Sequence, residues 1–287
     1  MKSLLILILS ITTSTILAGS PAQWDSIDAI LNNPNRTPNL IDPYYQATNK
    51  AQYHLFSPTP DHVLRDLSPD RPDATESPLT VDAGRFALEA SLFDYRRNGG
   101  QETFSYGQLN FKAGLTLNTD LQTIVDFYSD GEEQGFGDVT LRLKHNLWGN
   151  DGGDTALALM PFVKIPTGTA VSNYEWEGGL IVPWSTTLTE TIGLGLMAEF
   201  DYVYNEDTRD HEFKFLHTAV LRFAVTEKAG AYLEYIGIAG EDHYQAYLAG
   251  GMNYAVNEHL ILDFGVQGGL NRNSEDFGLF TGFTKRF

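Results

Sequence analysis

The feature that most constrains the fold is a periodicity. From Gly84 onward the chain repeats stretches of about ten residues in which apolar side chains alternate with polar or small ones, separated by turn-forming runs. Alternation at period two marks β-strands, because successive side chains point to opposite faces. In 192–204, Ile192, Leu194, Leu196, Ala198, Phe200 and Tyr202 share a face, and Gly193, Gly195, Met197, Glu199 and Asp201 share the other. In 260–270, Leu262, Phe264 and Val266 oppose Asp263, Gly265 and Gln267; in 102–117, Leu109, Phe111, Ala113 and Leu115 oppose Gln108, Asn110, Lys112 and Gly114. Twelve strands are predicted: 85–95, 102–117, 121–128, 136–147, 155–165, 176–186, 192–204, 212–225, 230–238, 244–256, 260–270 and 277–287. Their length suits a tilted crossing of a bilayer.

The connections alternate too. Those at 118–120, 149–154, 188–191, 226–228 and 257–259 are short, whereas those at 96–101, 129–135, 166–175, 205–211, 239–243 and 271–276 are longer and mostly acidic. Short turns on one side and longer loops on the other is the organisation of an outer-membrane barrel. Trp148, Trp176, Trp184, Tyr202, Tyr204, Tyr235 and Tyr254 fall towards strand ends, where aromatic girdles sit. The expected fold is all-β: a closed antiparallel transmembrane β-barrel of about 12 strands, embedded in outer-membrane lipid, after an irregular N-terminal segment.

The last stretch, 275–287, alternates as well. Leu279, Thr281, Phe283 and Phe287 lie on one face, and Phe280, Gly282, Thr284 and Arg286 on the other. A closing strand must pair with the first, here 85–95, because closure alone removes both sheet edges. Pro161 and Pro183 lie inside predicted strands, where each removes a ladder hydrogen bond and should mark a bulge or local break.

Residues 1–22 read as a signal peptide: Lys2, an apolar run, then small residues Ala18, Gly19, Ser20 and Ala22. Residues 23–83 carry most of the prolines. Apart from a short amphipathic helix over 24–31, they follow neither period, and are expected to be periplasmic or folded into the barrel mouth as a plug. Within them, 68–78 (SPDRPDATESP) should be extended and turn-rich.

Composition excludes several functions. Without cysteine there is no disulfide framework and no thiolate metal site. A net charge of −18 argues against nucleic-acid binding. The histidines, His54, His62, His145, His211, His217, His243 and His259, lack metal-ligand spacing, and the acidic runs at 130–133, 206–210, 241–242 and 275–276 do not follow the twelve-residue calcium-loop pattern. No metal or cofactor is expected. There is no G-x-S-x-G elbow, and neither His217-Thr218-Ala219 nor His145-Asn146-Leu147 supplies a nucleophile beside a base, so no enzyme is expected.

The inward faces instead carry charge of both signs. The candidate lumen-lining residues are Glu89, Lys112, Asp126, Asp138, Arg142, Lys144, Lys164, Glu177, Glu199, Asp201, Lys214, Arg222, Glu234, Asp263 and Arg286, with Glu212 beside them. Buried charges need partners or water, so a nearly balanced set reads either as ion pairs bracing the lumen or as a pore lining that orients a polar solute. The loop opening with Pro166-Thr167-Gly168 is a candidate constriction.

Several motifs carry a resemblance. Asp70-Arg71-Pro72-Asp73-Ala74-Thr75-Glu76-Ser77-Pro78 followed by Gly84-Arg85-Phe86 and Glu89, Gly135-Phe136-Gly137-Asp138 with Lys144, Pro161-Phe162-Val163-Lys164-Ile165-Pro166-Thr167-Gly168, and Leu262-Asp263-Phe264-Gly265 with the closing Phe283 and Phe287 are similar to bacterial outer-membrane barrels of the "putative MetA-pathway of phenol degradation" type. The resemblance covers about 68–287. It implies a barrel that moves a small, aromatic or apolar compound across the outer membrane, and it assigns no catalytic or binding residue; with no energy-coupling motif in the sequence, the passage is expected to be passive. The C-terminal strand also resembles the signal read by barrel-assembly machinery. The alternatives are a structural or adhesive barrel and, further off, an outer-membrane lipid-modifying enzyme.

Overall fold

The computed structural model describes residues 50–130, 134–241 and 243–287. The signal peptide and the helix expected over 24–31 lie outside the described residues.

Twelve strands cross the barrel wall: β1 (Phe86–Asn98), β2 (Gln101–Thr116), β3 (Thr119–Asp130), β5 (Val139–Trp148), β6 (Thr155–Ile165), β7 (Glu177–Thr189), β8 (Ile192–Asn205), β9 (Asp210–Ala224), β10 (Ala229–Ala239), β11 (Tyr244–Asn257), β12 (Leu260–Gly269) and β13 (Phe277–Arg286). A two-residue piece, β4 (Gln134–Gly135), pairs only with the end of β3. Every wall strand is antiparallel to its sequence neighbour, and β1 pairs with β13 from Ala87↔Arg286 to Arg97↔Phe277. The ring therefore closes without an edge, through the seam expected between the first and last strands.

Closure dictates the two faces. Glu89, Lys112, Lys144, Glu234, Asp263 and Thr284 are buried inside, while Phe111, Leu143, Phe200, Leu233, Phe264 and their neighbours are exposed on the outer wall. Soluble proteins do not leave such a continuous apolar surface uncovered; a bilayer covers it. Near the short turns, Phe86 stacks on Phe111 at 5.6 Å between ring centres. Near the opposite end, Phe93, Tyr95, Phe104 and Phe277 form one aromatic cluster and Tyr202, His211 and Phe213 another.

Two local expectations change, and the one for the prolines is met as a break rather than a bulge. The loop expected at 96–101 is a two-residue hairpin: β1 and β2 run on to Gly99 and Gly100, whose φ values of 56° and 89° are those a tight primed turn needs. The strand expected from 136 begins at 139, because Gly137 and Asp138 bend out to hold a loop. Both prolines break the ladder without shifting its register: Pro161 leaves Leu143 and Lys144 unbridged between β5 and β6, and bridging between β6 and β7 lapses beside Pro183.

The irregular segment does not stay outside. Residues 50–63 lie against the short-turn rim, where the Leu55 amide donates to the Leu115 carbonyl and Lys50 pairs with Asp151 at 2.6 Å. From Arg65 to Asp82 the chain contacts inward-facing side chains of β1, β2, β3, β5, β9, β10 and β12, strands on all sides of the ring, so it runs through the lumen.

Candidate functional site: a luminal segment between two cavities

The luminal segment has no regular secondary structure, so its backbone polar groups need partners from the wall. Glu234 on β10 accepts from the amides of Ala74 and Thr75, both at 2.8 Å, and from Thr75 Oγ1 at 2.6 Å. Glu89 on β1 accepts from the Asp70 amide at 2.8 Å, Asp120 on β3 from the Val81 amide at 2.9 Å, and Asn146 Nδ2 on β5 donates to the Pro78 carbonyl at 2.9 Å. The wall thus supplies the bonds that a strand would have found in a sheet.

Charges complete the attachment. Asp70 receives Lys112 and Lys144, the latter at 2.8 Å to both oxygens, and Lys112 also reaches Glu89 at 2.7 Å. Arg71 pairs with Asp263, Asp73 with Arg222, and Glu76 with Arg142 at 2.6 Å. These pairs are largely withdrawn from water, Lys144 to 1% exposure, so each depends on its partner being in place. Burial works against the Asp70 carboxylate, but Lys112 and Lys144 together hold it below the ordinary range. Glu76 goes the other way: burial, with Asp70 nearby, pushes it up to about 7 against the pull of Arg142 and Lys144.

On the long-loop side of the segment is a cavity of about 390 Å³ lined by Asp70, Arg71, Glu76, Asp94, Arg96 and Asp126, among others. It shares Ser91, Asp94, Arg96, Gln108, Asp126 and Thr140 with a space of about 440 Å³ nearer the loops, so the two form one outer chamber. On the short-turn side a cavity of about 500 Å³ is lined by Arg65, Ser68, Ser77, Asn150, Arg222 and Tyr232. Arg71 and Asp73 border both the inner part of the outer chamber and the short-turn cavity, so the segment is the partition between them.

The sequence-derived candidates divide accordingly. Glu89, Lys112, Arg142, Lys144, Arg222, Glu234 and Asp263 all touch the luminal segment. Asp126 faces the outer chamber and accepts from Gln108 Nε2 at 2.7 Å. Lys164 bridges Asp138 and Glu177 at 3.4 and 3.0 Å. Asp138 accepts from the Gly168 amide and Ser172 Oγ and so folds the loop of 166–176 against the start of β5, where Val171 reaches the chamber wall. Glu199 and Asp201 stand two apart on β8 with no Lys or Arg within ion-pair distance among the described residues. Lys214 pairs with Glu212 at 3.1 Å. Arg286 donates to the carbonyls of Arg65 at 2.6 Å and Glu258 at 3.0 Å, tying the segment's entry to the closing strand.

Two features escape the sequence reading. Asp70, Arg71, Asp73 and Glu76 each meet wall charges of the opposite sign, Asp70 two of them; the signal was four charged residues within seven positions that obey no strand period. The interior also holds apolar patches. Val220, Tyr232, Ile236, Tyr247 and Ala249 form one across β9–β11, and Met160, Ile181 and Met197 another across β6–β8. Their signal was strands such as 229–239, AGAYLEYIGIA, apolar on both faces.

Solved structures share the architecture. An outer membrane channel from Pseudomonas putida F1 superposes with a TM-score of 0.58 at 16% identity, over 77% of this chain and 100% of that one. The NanC porin gives 0.53 at 9% identity over 69% and 98%, and the KdgM porin 0.50 at 8% over 71% and 99%. At these identities the likeness is one of fold. No curated protein matches the sequence. The family described as "Putative MetA-pathway of phenol degradation" matches residues 69–287, a span that takes in the luminal segment from Pro69 as well as every wall strand, and the chain belongs to that family.

Proposed function

We propose that the protein is a passive channel of the outer membrane for a small solute, with the luminal segment as its gate. The observation that carries this reading is the partition itself: ten residues, 69–78, separate two cavities and are held by hydrogen bonds and ion pairs rather than by a hydrophobic core. Polar attachments exchange with water when the segment moves, whereas a packed apolar core would not let go without unfolding. The barrels it resembles in fold are named as a channel and as porins, which fits. A purely structural barrel has no use for a chamber on each side of a polar partition.

The solute is small on this reading, because the chambers are of the size of ordinary small-molecule pockets. An aromatic or apolar body suits the patch of Ile236, Ala249 and Phe280 on the outer chamber wall. The wall residues named above serve as lining and as latch, the outer face as the lipid contact, and the strand ending at Phe287 as the segment offered to the assembly machinery.

Thr75 and Thr218 place their hydroxyls 2.5 Å apart, one on the segment and one on β9. With no native cysteine, a Thr75→Cys/Thr218→Cys pair provides a clean lock. Liposome swelling or bilayer conductance should fall on oxidation and return on reduction. Conductance unchanged by the lock would mean that the segment does not gate, and silence of the reduced protein towards ions and small organic solutes would remove the channel.

A further inference from the structure

We infer that the outer chamber selects small organic cations with an apolar body over anions of the same size. All four cations on its wall are already committed: Arg71 to Asp263, Arg96 to Asp94, Arg142 to Glu76, and Lys164 to Asp138 and Glu177. The carboxylates are not all matched. Among the described residues, Asp126 and Glu234 line the chamber with no Lys or Arg within ion-pair distance. Glu234 spends its oxygens on the segment's amides and on Thr75, while Asp126 has only the Gln108 amide, which leaves acceptor capacity facing the cavity.

The field at the mouth has the same sign. The turns and strand ends on that side carry Glu102, Glu175, Glu206, Asp207, Asp210, Glu241, Glu275 and Asp276, against Arg97, Arg209 and Arg272. Low-dielectric walls focus such a field along the lumen, and carboxylate-lined constrictions favour cations. An anion entering the chamber meets no free cation and an unscreened carboxylate. An ammonium meets Asp126, and the apolar remainder of its molecule finds Ile124, Ile236, Ala249 and Phe280 on the same wall. The chamber therefore offers one charged contact and one apolar strip, the two elements that orient an amphipathic ligand.

The inference rests on the channel reading only for the route by which the solute arrives, so it is tested first by binding. Phenethylammonium and phenylacetate are close in size and opposite in charge. Calorimetric titration of the detergent-purified full chain at pH 8, where Glu76 is ionised and holds Arg142, and at low salt should show the cation bound at least about tenfold more tightly. Asp126→Asn should weaken its binding by about tenfold, and added salt should weaken it as well. Phenylacetate binding as tightly, binding of neither probe, or an Asp126→Asn protein that holds the cation unchanged would each overturn the inference. In planar bilayers a tenfold KCl gradient should give a cation-selective reversal potential that moves towards zero in Asp126→Asn. Cation binding without any conductance would remove the channel and leave the chamber's selectivity standing.

Discussion

Arg71 and Asp263 stand 192 positions apart and form a two-pronged ion pair, Nη2 to Oδ1 at 2.9 Å and Nε to Oδ2 at 3.2 Å. One partner is on the luminal segment and the other on β12, so the pair is a direct clasp between gate and wall. Asp263 is 2% exposed, and a carboxylate so buried tolerates loss of its partner poorly. Arg71→Ala should destabilise the protein to urea in micelles by roughly 3 kcal/mol. Asp263→Ala should cost a similar amount. The double variant should cost less than the two together, with a coupling of about 1–3 kcal/mol. Additive losses would show that the two residues are not coupled.

Asp70 ties the segment to β2 and β5 at once, through Lys112 and Lys144, and organises its own loop by accepting from the Ser77 amide at 2.8 Å. Asp70→Asn keeps the shape and removes the charge, leaving Lys112 with Glu89 at 2.7 Å and Lys144 with only Glu76 at 3.9 Å. The segment should then leave the wall more often. A Ser77→Cys reporter, buried in the parent, should react with a maleimide at least about tenfold faster in the Asp70→Asn background, since a lost buried charge pair costs well over the 1.4 kcal/mol that a tenfold shift requires. Equal labelling rates would mean that Asp70 does not latch the segment.

The acid–base behaviour of Glu76 gives the attachment a pH dependence. A carboxyl raised to about 7 in the folded state binds a proton there that the unfolded chain, near 4.5, does not. Between those values the folded state holds more protons, so stability falls as pH rises from about 4.5 to about 7, and is flat beyond. The full span corresponds to about 3 kcal/mol. Asp70, held low, has the opposite sign, but its contribution is lost only in strong acid, below this window. Urea midpoints at pH 5 and pH 8 should therefore differ, with the protein more stable at pH 5, and Glu76→Gln should reduce the difference. A midpoint difference untouched by Glu76→Gln would assign the effect to other carboxyls.

Most of the wall was legible because closure forces one simple rule on every strand: outward residues meet lipid and inward ones do not. The boundaries of β6 come directly from that alternation, and the seam follows from the need to cover two edges. The luminal segment obeys no such rule. The run from Asp70 to Glu76 owes its conformation to Glu89, Glu234 and Asp263, residues that the chain places up to 192 positions away, and no local pattern reports a long-range partner. The inward charges were visible as charges. Their division into clasps such as Lys144 and an unmatched acceptor such as Asp126 depends on where the segment lies. The apolar interior patches were hidden for another reason: β10 is apolar on both faces, so Tyr232 and Ile236, although they share the face of Glu234, gave no contrast between lumen and lipid.

Gly282 on the closing strand shows how closely that segment sits against the wall. A Cβ built there would come within 2.5 Å of Arg71 Nη2 and 2.8 Å of its Cζ, and against the Ala90 carbonyl oxygen of β1. The missing side chain makes room for the clasp described above and for the seam at the same position, where Gly282 pairs with Ser91. Gly282→Ala should therefore cost about 1–3 kcal/mol, as overpacking does at sites that cannot relax. Removing the guanidinium should relieve part of it, because Arg71 can yield while the Ala90 backbone cannot. In an Arg71→Ala background the same substitution should cost measurably less, read as the difference between urea midpoints in micelles. An identical cost in both backgrounds would mean that Gly282 is needed by the seam alone and that the clasp passes it without contact.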